Sequence, residues 1–273
     1  MEKLLIRSFK RFRISVFLLS QLIGISNFLS AQNVTNESQI INEIEITSNF
    51  ITWWTYHKNN IIWSSNYIPM DIDTKMISKD SFFVKLITGD YYVIKCGTRN
   101  DSNLYQIRRG DTTMEKDIFS TIKSEAAIEY NYYKWEGKSL PEFNFKDLSG
   151  NVFDSENTKG KIIVLNCWYT HCSPCVAEIP ELNSLVKYFK KDKSIIFLAP
   201  AFDDKSIIET FLQTHSFSYT IIPEQENYLQ NVLKIYRYPT HIIVDRQGKI
   251  KKISTCDLNT LREMILKEKM GEY

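Results

Sequence analysis

An α/β domain built on a mixed central sheet, preceded by a small β-rich module, is the architecture this sequence predicts, and three observations predict it. Lys161 to Trp168 (KIIVLNCW) is a nearly continuous apolar run, as a strand covered on both faces requires. Cys175 to Phe189 comes next, with Val176, Ile179, Leu182, Leu185, Val186 and Phe189 spaced as one helical stripe. Upstream, between Phe50 and about Arg109, short aromatic and β-branched runs alternate with turn formers such as Lys58-Asn59-Asn60 and Gly89-Asp90.

Of the 273 residues, 43% are apolar and 24% charged, which is globular rather than disordered, and no internal repeat or low-complexity linker stands out. The first thirty-one residues read as a secretory signal. Lys3, Arg7, Lys10, Arg11 and Arg13 form a basic head, Ile14 to Leu29 is mostly apolar, and Leu29-Ser30-Ala31 offers a cleavage site. An uncleaved membrane anchor is the alternative, although the stretch is short for a span and contains Gln21 and Asn27. The chain holds 34 Lys and Arg against 32 Asp and Glu; the leader takes five basic and one acidic, leaving 29 and 31. The basic excess thus belongs to the leader and is no argument for nucleic-acid binding.

Residues 32–137 read as the module, with strand-like runs at Phe50–Trp54, Asn60–Trp63, Ser81–Ile87, Tyr91–Cys96 and Leu104–Ile107 and a helix over Met114 to Tyr133. Trp53, Trp54, Trp63, Phe82, Phe83, Tyr91 and Tyr92 are too many aromatics to leave exposed. The module should therefore pack against the C-terminal domain or against a second copy of itself, with the helix as bracket. Packing near the active-site face would make the protein selective for its substrates; a plain spacer is the alternative.

Gly137 to Pro141 marks the boundary with the domain at 138–273. There the order is strand, helix (from Cys175, with Pro180 inside it), strand (Ser194–Ala199), helix (Lys205–Thr214) and strand (Tyr219–Ile222). A short helix near Tyr228–Ile235, a hairpin of Thr240–Val244 with Lys249–Ile253, and a closing helix over Leu258–Lys269 complete it.

Five cysteines fall at 96, 167, 172, 175 and 256, and one close pair with three scattered singles points to chemistry rather than a disulfide framework. Cys172-Ser-Pro-Cys175 sits between a buried strand and a helix. At a helix start the unpaired N–H groups and the positive end of the dipole favour the thiolate of Cys172. Cys172 then forms the mixed disulfide that Cys175 resolves. Half of a zinc site, completed by His171 and His241, and a purely structural disulfide are the competing readings; a metal knuckle does not suit a place between a buried strand and an amphipathic helix, and a four-residue loop constrains the unfolded chain little.

Val164 to Leu182 (VLNCWYTHCSPCVAEIPEL) resembles the signature of the TlpA/ResA-type branch of thioredoxin-like proteins, with a domain of the AhpC/TSA-redoxin type. These are exported or membrane-tethered bacterial disulfide reductases. Tyr238-Pro239-Thr240 resembles the cis-proline region of the same family, and Leu140 to Gly150 resembles its opening hairpin. The likeness covers about residues 138–270 and is silent on residues 32–137.

The resemblance implies a thioredoxin-like fold and thiol–disulfide exchange with no cofactor beyond the dithiol. It implies protein disulfides as substrates, a membrane thiol–disulfide electron donor, and a periplasmic or envelope location. Family members reduce apocytochrome c, copper-site proteins or misbridged exported proteins, and nothing in residues 138–273 selects among them or sets an oligomeric state.

The resemblance also carries residue roles. Trp168 packs beside the active site. Pro239, between Tyr238 and Thr240, is in cis and leaves a backbone edge open to an extended substrate. Asn166 stands where ordinary thioredoxin has a buried aspartate, so the acidic group is Glu178, three residues after Cys175, with a plain solvent-facing glutamate as the alternative; Glu181 is structural. His171 departs from the bulky residue often found before the first cysteine and leaves the direction of the redox reaction open. Cys167, at a position usually held by phenylalanine, is a small core residue.

Two other functions remain in view. A peroxidase of the peroxiredoxin class requires threonine three residues before its cysteine and proline four before that, and those places hold Tyr169 and Leu165. The other is a non-enzymatic envelope binding protein with a vestigial redox site, which the aromatic module would suit.

Overall fold

The computed structural model describes residues 43–255 and 258–271. The leader, residues 32–42 and Cys256 lie outside the described residues.

In the N-terminal half, two runs expected as strands are helices. After a short helix α1 (Glu43–Ile46), Asn49 caps α2 (Phe50–Asn60) by accepting from Thr52 N at 2.9 Å. Trp53 and His57, four residues apart, are the side chains this helix buries. Ser78 accepts from Ser81 N at 3.1 Å to open α3 (Lys79–Thr88), and Gly89 closes it at a left-handed φ of 84°. Phe82, Phe83 and Leu86 face inward. Aromatic and β-branched content is a weak strand preference; caps at both ends, together with a spacing of three and four that buries the large rings, override it. Asn60 to Trp63 is not a strand either, because it ends α2 and turns.

The remaining strands form a three-stranded sheet. β2 (Tyr91–Arg99) and β3 (Ser102–Arg109) make a hairpin through Asn100 and Asp101, both at positive φ as a tight hairpin turn demands. β1 (Tyr67–Met70), unforeseen in the sequence, pairs parallel with β3 at an edge, where Pro69 is tolerated. Trp53, Phe82, Phe83 and Tyr105 centre the core of this half. The helix expected over Met114–Tyr133 is α4 (Lys116–Trp135). Its Ile118, Ile122 and Ala126 complete the aromatic core, while its Tyr132 enters the core of the C-terminal half.

The C-terminal half begins with the expected hairpin, β4 (Asn144–Lys146) and β5 (Val152–Asp154). Then come β6 (Ile162–Cys167), α5 (Ser173–Phe189), β7 (Ile195–Pro200), α6 (Lys205–Leu212), β8 (Thr220–Ile222), a π-helical turn at Tyr228–Val232, β9 (Thr240–Val244), β10 (Ile250–Ser254) and α7 (Leu258–Met270). The sheet order is β10-β9-β6-β7-β8, with β6, β7 and β8 parallel and β9 and β10 forming an antiparallel edge. All of β6 is buried. Ile162 and Val164 point to the core shared with α5 and α7; Ile163, Leu165 and Cys167 point to the opposite core, which includes Tyr132.

The chain passes directly from α4 into the second sheet. Gly137 N donates to Ile250 O and Ile250 N to Lys138 O, each at 2.8 Å. α4 also grips the segment leading into β9. Asn131 Nδ2 donates to Lys234 O and Trp135 Nε1 to Leu233 O, both at 3.1 Å, and Tyr132 OH lies 3.3 Å from Thr240 Oγ1. Arg237 stands 3.7 Å from both Glu125 and Glu129 of α4, and Glu125 meets His57 at 2.8 Å. These groups line a cavity of about 360 Å³. Burial pushes Glu129 from 4.5 up to about 7, against the pull of Arg237. Burial acts the same way on Glu125, but the His57 hydrogen bond and the charges of His57 and Arg237 outweigh it and hold that carboxyl below its ordinary value.

Because folding raises the pKa of Glu129, the native state retains a proton that the unfolded chain gives up. This stabilisation is complete below about 4.5 and is lost as the pH rises through about 7. Glu129→Gln stays uncharged throughout. Across this pH window the variant should therefore gain stability relative to the parent, by roughly 3 kcal/mol. Urea midpoints of the two proteins measured against pH check this, and parallel curves would refute it.

Candidate active site

Cys172 is the N-cap of α5. Its carbonyl accepts from Val176 N at 3.0 Å, and its Sγ accepts from Cys175 N at 3.2 Å. Ser173 and Pro174 fill the first helical positions, where a missing N–H costs nothing. Cys172 and Cys175 are joined as a disulfide, with Cα atoms 5.2 Å apart. Cys175 is fully buried. Cys172 is only 3% exposed, in a core against which Tyr169 and Tyr238 also pack. Its neighbours His171, Ser173 and Pro174 are exposed.

The approach to the pair is fixed from three sides. Trp168 is buried against Phe211 and Phe217, its Nε1 donating to Ala199 O at 3.4 Å. Asp203 accepts from Thr170 N at 2.6 Å, tying the loop before Cys172 to the end of β7. The Tyr238–Pro239 bond is cis. Tyr238 meets Phe202 and Tyr169 edge-on at ring separations of 4.8 and 5.7 Å, and Tyr169 stacks on Phe202. Thr240 Oγ1 donates to Arg237 O at 2.6 Å. His171 is exposed, with Nδ1 3.1 Å from Thr170 Oγ1.

The same layer as the pair holds a polar set that sequence reasoning reaches only in part. Asn166 and Glu178 are expected here. His241, which the sequence offers only as a metal ligand in principle, joins them, with Nε2 at 3.5 Å from Glu178 Oε2. A signal exists: the alternation of β9 puts His241 on the same face as Ile243, where a histidine is out of place. Asp203, Tyr169 and Phe202 also belong to the site, and no local pattern marks them. Among the described residues no group of three or more His, Cys, Asp or Glu side chains is arranged to hold a metal ion.

A dithiol that opens a helix after a central strand, facing a cis-proline strand on a mixed five-stranded sheet, defines a thioredoxin-like thiol–disulfide oxidoreductase. Residues 137–253 match the AhpC/TSA family. The chain is 29% identical over 137 residues to the thiol-disulfide oxidoreductase ResA of Geobacillus thermodenitrificans, covering 50% of this chain and 74% of that one. It is 24% identical over 136 residues to ResA of Bacillus subtilis, with the same coverage. Among solved structures, the thioredoxin domain of a thiol-disulfide oxidoreductase from Bacteroides vulgatus matches 48% of this chain and 96% of its own, at 25% identity and a TM-score of 0.43. StoA from Bacillus subtilis matches 46% and 98%, at 21% identity and a TM-score of 0.41. Residues 137–253 thus form a thiol–disulfide oxidoreductase domain of the AhpC/TSA type, related to ResA and acting through Cys172 and Cys175.

The other described thiols are poorly placed to compete. Cys96 is half-buried, its Sγ donates to Gln106 Oε1 at 3.3 Å, and burial pushes its thiol pKa up. Burial pushes Cys167 up much further. Alkylation of the reduced protein near neutral pH should therefore label Cys172 first, as peptide mapping would read. Faster labelling of Cys96 or Cys256 would remove Cys172 as the reactive thiol.

Proposed function

We propose that this protein is an exported reductase of protein disulfides. The observation that carries this reading is the redox pair at the start of α5, with a largely buried carboxyl one turn further along the same helix and a cis-proline edge beside it. The Cys172 thiolate attacks a substrate disulfide, a new Cys172–substrate bond forms, and one substrate sulfur leaves with the electron pair and takes up a proton. Glu178 accepts the proton of Cys175, and the resulting thiolate attacks Cys172 Sγ. The second substrate sulfur leaves, the intramolecular disulfide closes, and two electrons have passed to the substrate. The backbone beside Pro239 pairs with the extended substrate segment, flanked by Tyr169, Phe202 and Tyr238. A thiol–disulfide carrier in the membrane returns the electrons, and the basic and apolar leader directs export.

The N-terminal half supports this site from behind. Its helix α4 holds residues 233–240 on the sheet face opposite α5 and so steadies the cis-proline loop. Among the described residues no helix is long and apolar enough to cross a membrane.

Trapping tests the reaction. Cys175→Ser should accumulate mixed disulfides through Cys172 with proteins that carry disulfides in their finished or misbridged state, and Cys172→Ser should accumulate none. Capture that survives Cys172→Ser would end this mechanism. Glu178→Gln should keep the fold and the disulfide but lower insulin-disulfide turnover at neutral pH by about ten- to a hundredfold and alter its pH profile. An unchanged profile would return Glu178 to a purely structural role.

A further inference from the structure

We infer that His241 is a positioning residue for the redox pair: its buried imidazole holds the Glu178 carboxyl and shares the proton that Glu178 takes from Cys175. This rests on the proposed role of Glu178 as proton acceptor. β6 and β9 run antiparallel with Asn166 directly opposite His241, so both side chains leave the sheet on one face. Ile162, Val164 and Ile243 lie on that face, in one core with Cys172, Cys175 and Ile179. Glu178 enters from α5, one turn beyond Cys175. Three polar side chains thus enter the otherwise apolar layer that also holds Cys172 and Cys175.

Their state in the oxidised protein is unusual. The His241 side chain is 1% exposed and that of Glu178 15%, with Nε2 and Oε2 at 3.5 Å. That is an ion-pair distance without hydrogen-bond alignment. Both ring nitrogens of His241, both terminal atoms of Asn166 and Oε1 of Glu178 are buried without a hydrogen-bond partner. Each such atom is costly relative to a satisfied one, and an aliphatic residue at 241 would avoid the cost in a strand that continues as Ile242, Ile243 and Val244. An arriving proton offsets it. Once Cys175 gives up its proton, that proton can sit on the carboxyl or on the imidazole, and either placement lets one group donate to the other. Asn166 can bond to both groups but exchanges no proton. The exchange of sulfurs is unaltered, and the proton from Cys175 Sγ comes to rest on the Glu178–His241 pair.

The elements packed about β9 bring few other charges to this face. β6 contributes Asn166, and β10 contributes Ser254 opposite His241. α5 contributes Glu178 and the two cysteines, and α7 contributes Leu261, Met264 and Ile265. The charged residues of α7 lie elsewhere. Arg262 covers the Tyr188 ring and Lys269 pairs with Asp192; Glu268 feels Asp245, Arg246 and Lys251, and Glu263 and Lys267 line a cleft with Glu136. Cys256 and Asp257, which come after β10, lie outside the described residues.

Two measurements on the full chain test the proposal. In the first, the imidazole resonances of His241 are titrated in oxidised and reduced protein and assigned with His241→Gln. The His241 midpoint should be higher in the reduced protein, where the Cys172 thiolate adds negative charge to the same layer; identical midpoints in both redox states would overturn the proposal. In the second, insulin-disulfide turnover against pH is compared for His241→Leu, His241→Gln, Glu178→Gln and the double variant Glu178→Gln/His241→Leu. Both His241 single variants should form the disulfide and lose about tenfold in kcat/KM near neutral pH. The double variant should be no slower than Glu178→Gln alone, since the two residues act as one unit. If Glu178→Gln lowers turnover while the His241 variants do not, or if the two losses multiply, the inference fails and the reading of Glu178 stands. If Glu178→Gln is itself without effect, that reading fails and this inference with it.

Discussion

The antiparallel register of β6 against β9 is the constraint on which the rest of the site depends. With Cys167 opposite Thr240 and Asn166 opposite His241, the last residues of β6 deliver the chain to Cys172 just where β9 begins at the cis-proline. A strand has a period of two, so a slip of one residue would turn His241 into the opposite core and carry Ile242 into the layer that holds the disulfide. The parallel bonds to β7 hold the other side of β6 and place Trp168 against the end of that strand. The cysteines occupy the first turn of α5, and their setting is decided by two strands that meet over seventy residues apart in sequence.

What is legible in the sequence depends on this geometry. β6 is buried on both faces, so it reads as an unbroken apolar run; α5 is buried on one stripe, so it reads at a helical period. The pair between them can be placed from residues alone, whereas the cis bond before Pro239 and the acidic role proposed for Glu178 come only through family resemblance. His241 escapes because its meaning lies in a strand pairing and not in its neighbours along the chain. In the N-terminal half, aromatic content at Phe50–Trp54 and Ser81–Ile87 suggests strands that the chain does not form. Asn49, Ser78 and Gly89 are the helix signals, and each stands beside one of those runs. The three-stranded sheet is legible through β2 and β3, whose apolar runs at Tyr91–Cys96 and Leu104–Ile107 carry the strand pattern.

α4 gives the two halves a common skeleton. One end of the helix lies in the aromatic core through Ile118, Ile122 and Ala126; the other reaches the second core through Tyr132. Between them Glu125 and Glu129 face one guanidinium from two successive turns, and their environments separate them, with His57 keeping the first ionised while burial favours the proton on the second. The loop that carries the cis-proline is therefore anchored by a polar contact whose strength changes near neutral pH.

The grip of α4 on residues 233–240 also sets an order of assembly. The hydrogen bond from Asn131 to Lys234 spans 103 residues and the contact of Tyr132 with Thr240 spans 108. Closing loops of this length adds only modestly to the entropic cost, but contacts so distant in sequence form late. A chain made from its N-terminus completes the aromatic half and α4 before β9 exists, so α4 is a preformed dock awaiting the strand that finishes the site. Until that strand arrives, Cys172 and Cys175 have neither the proline edge nor His241 beside them. The nascent protein thus passes through an interval in which its two thiols are present but the strand they adjoin is not.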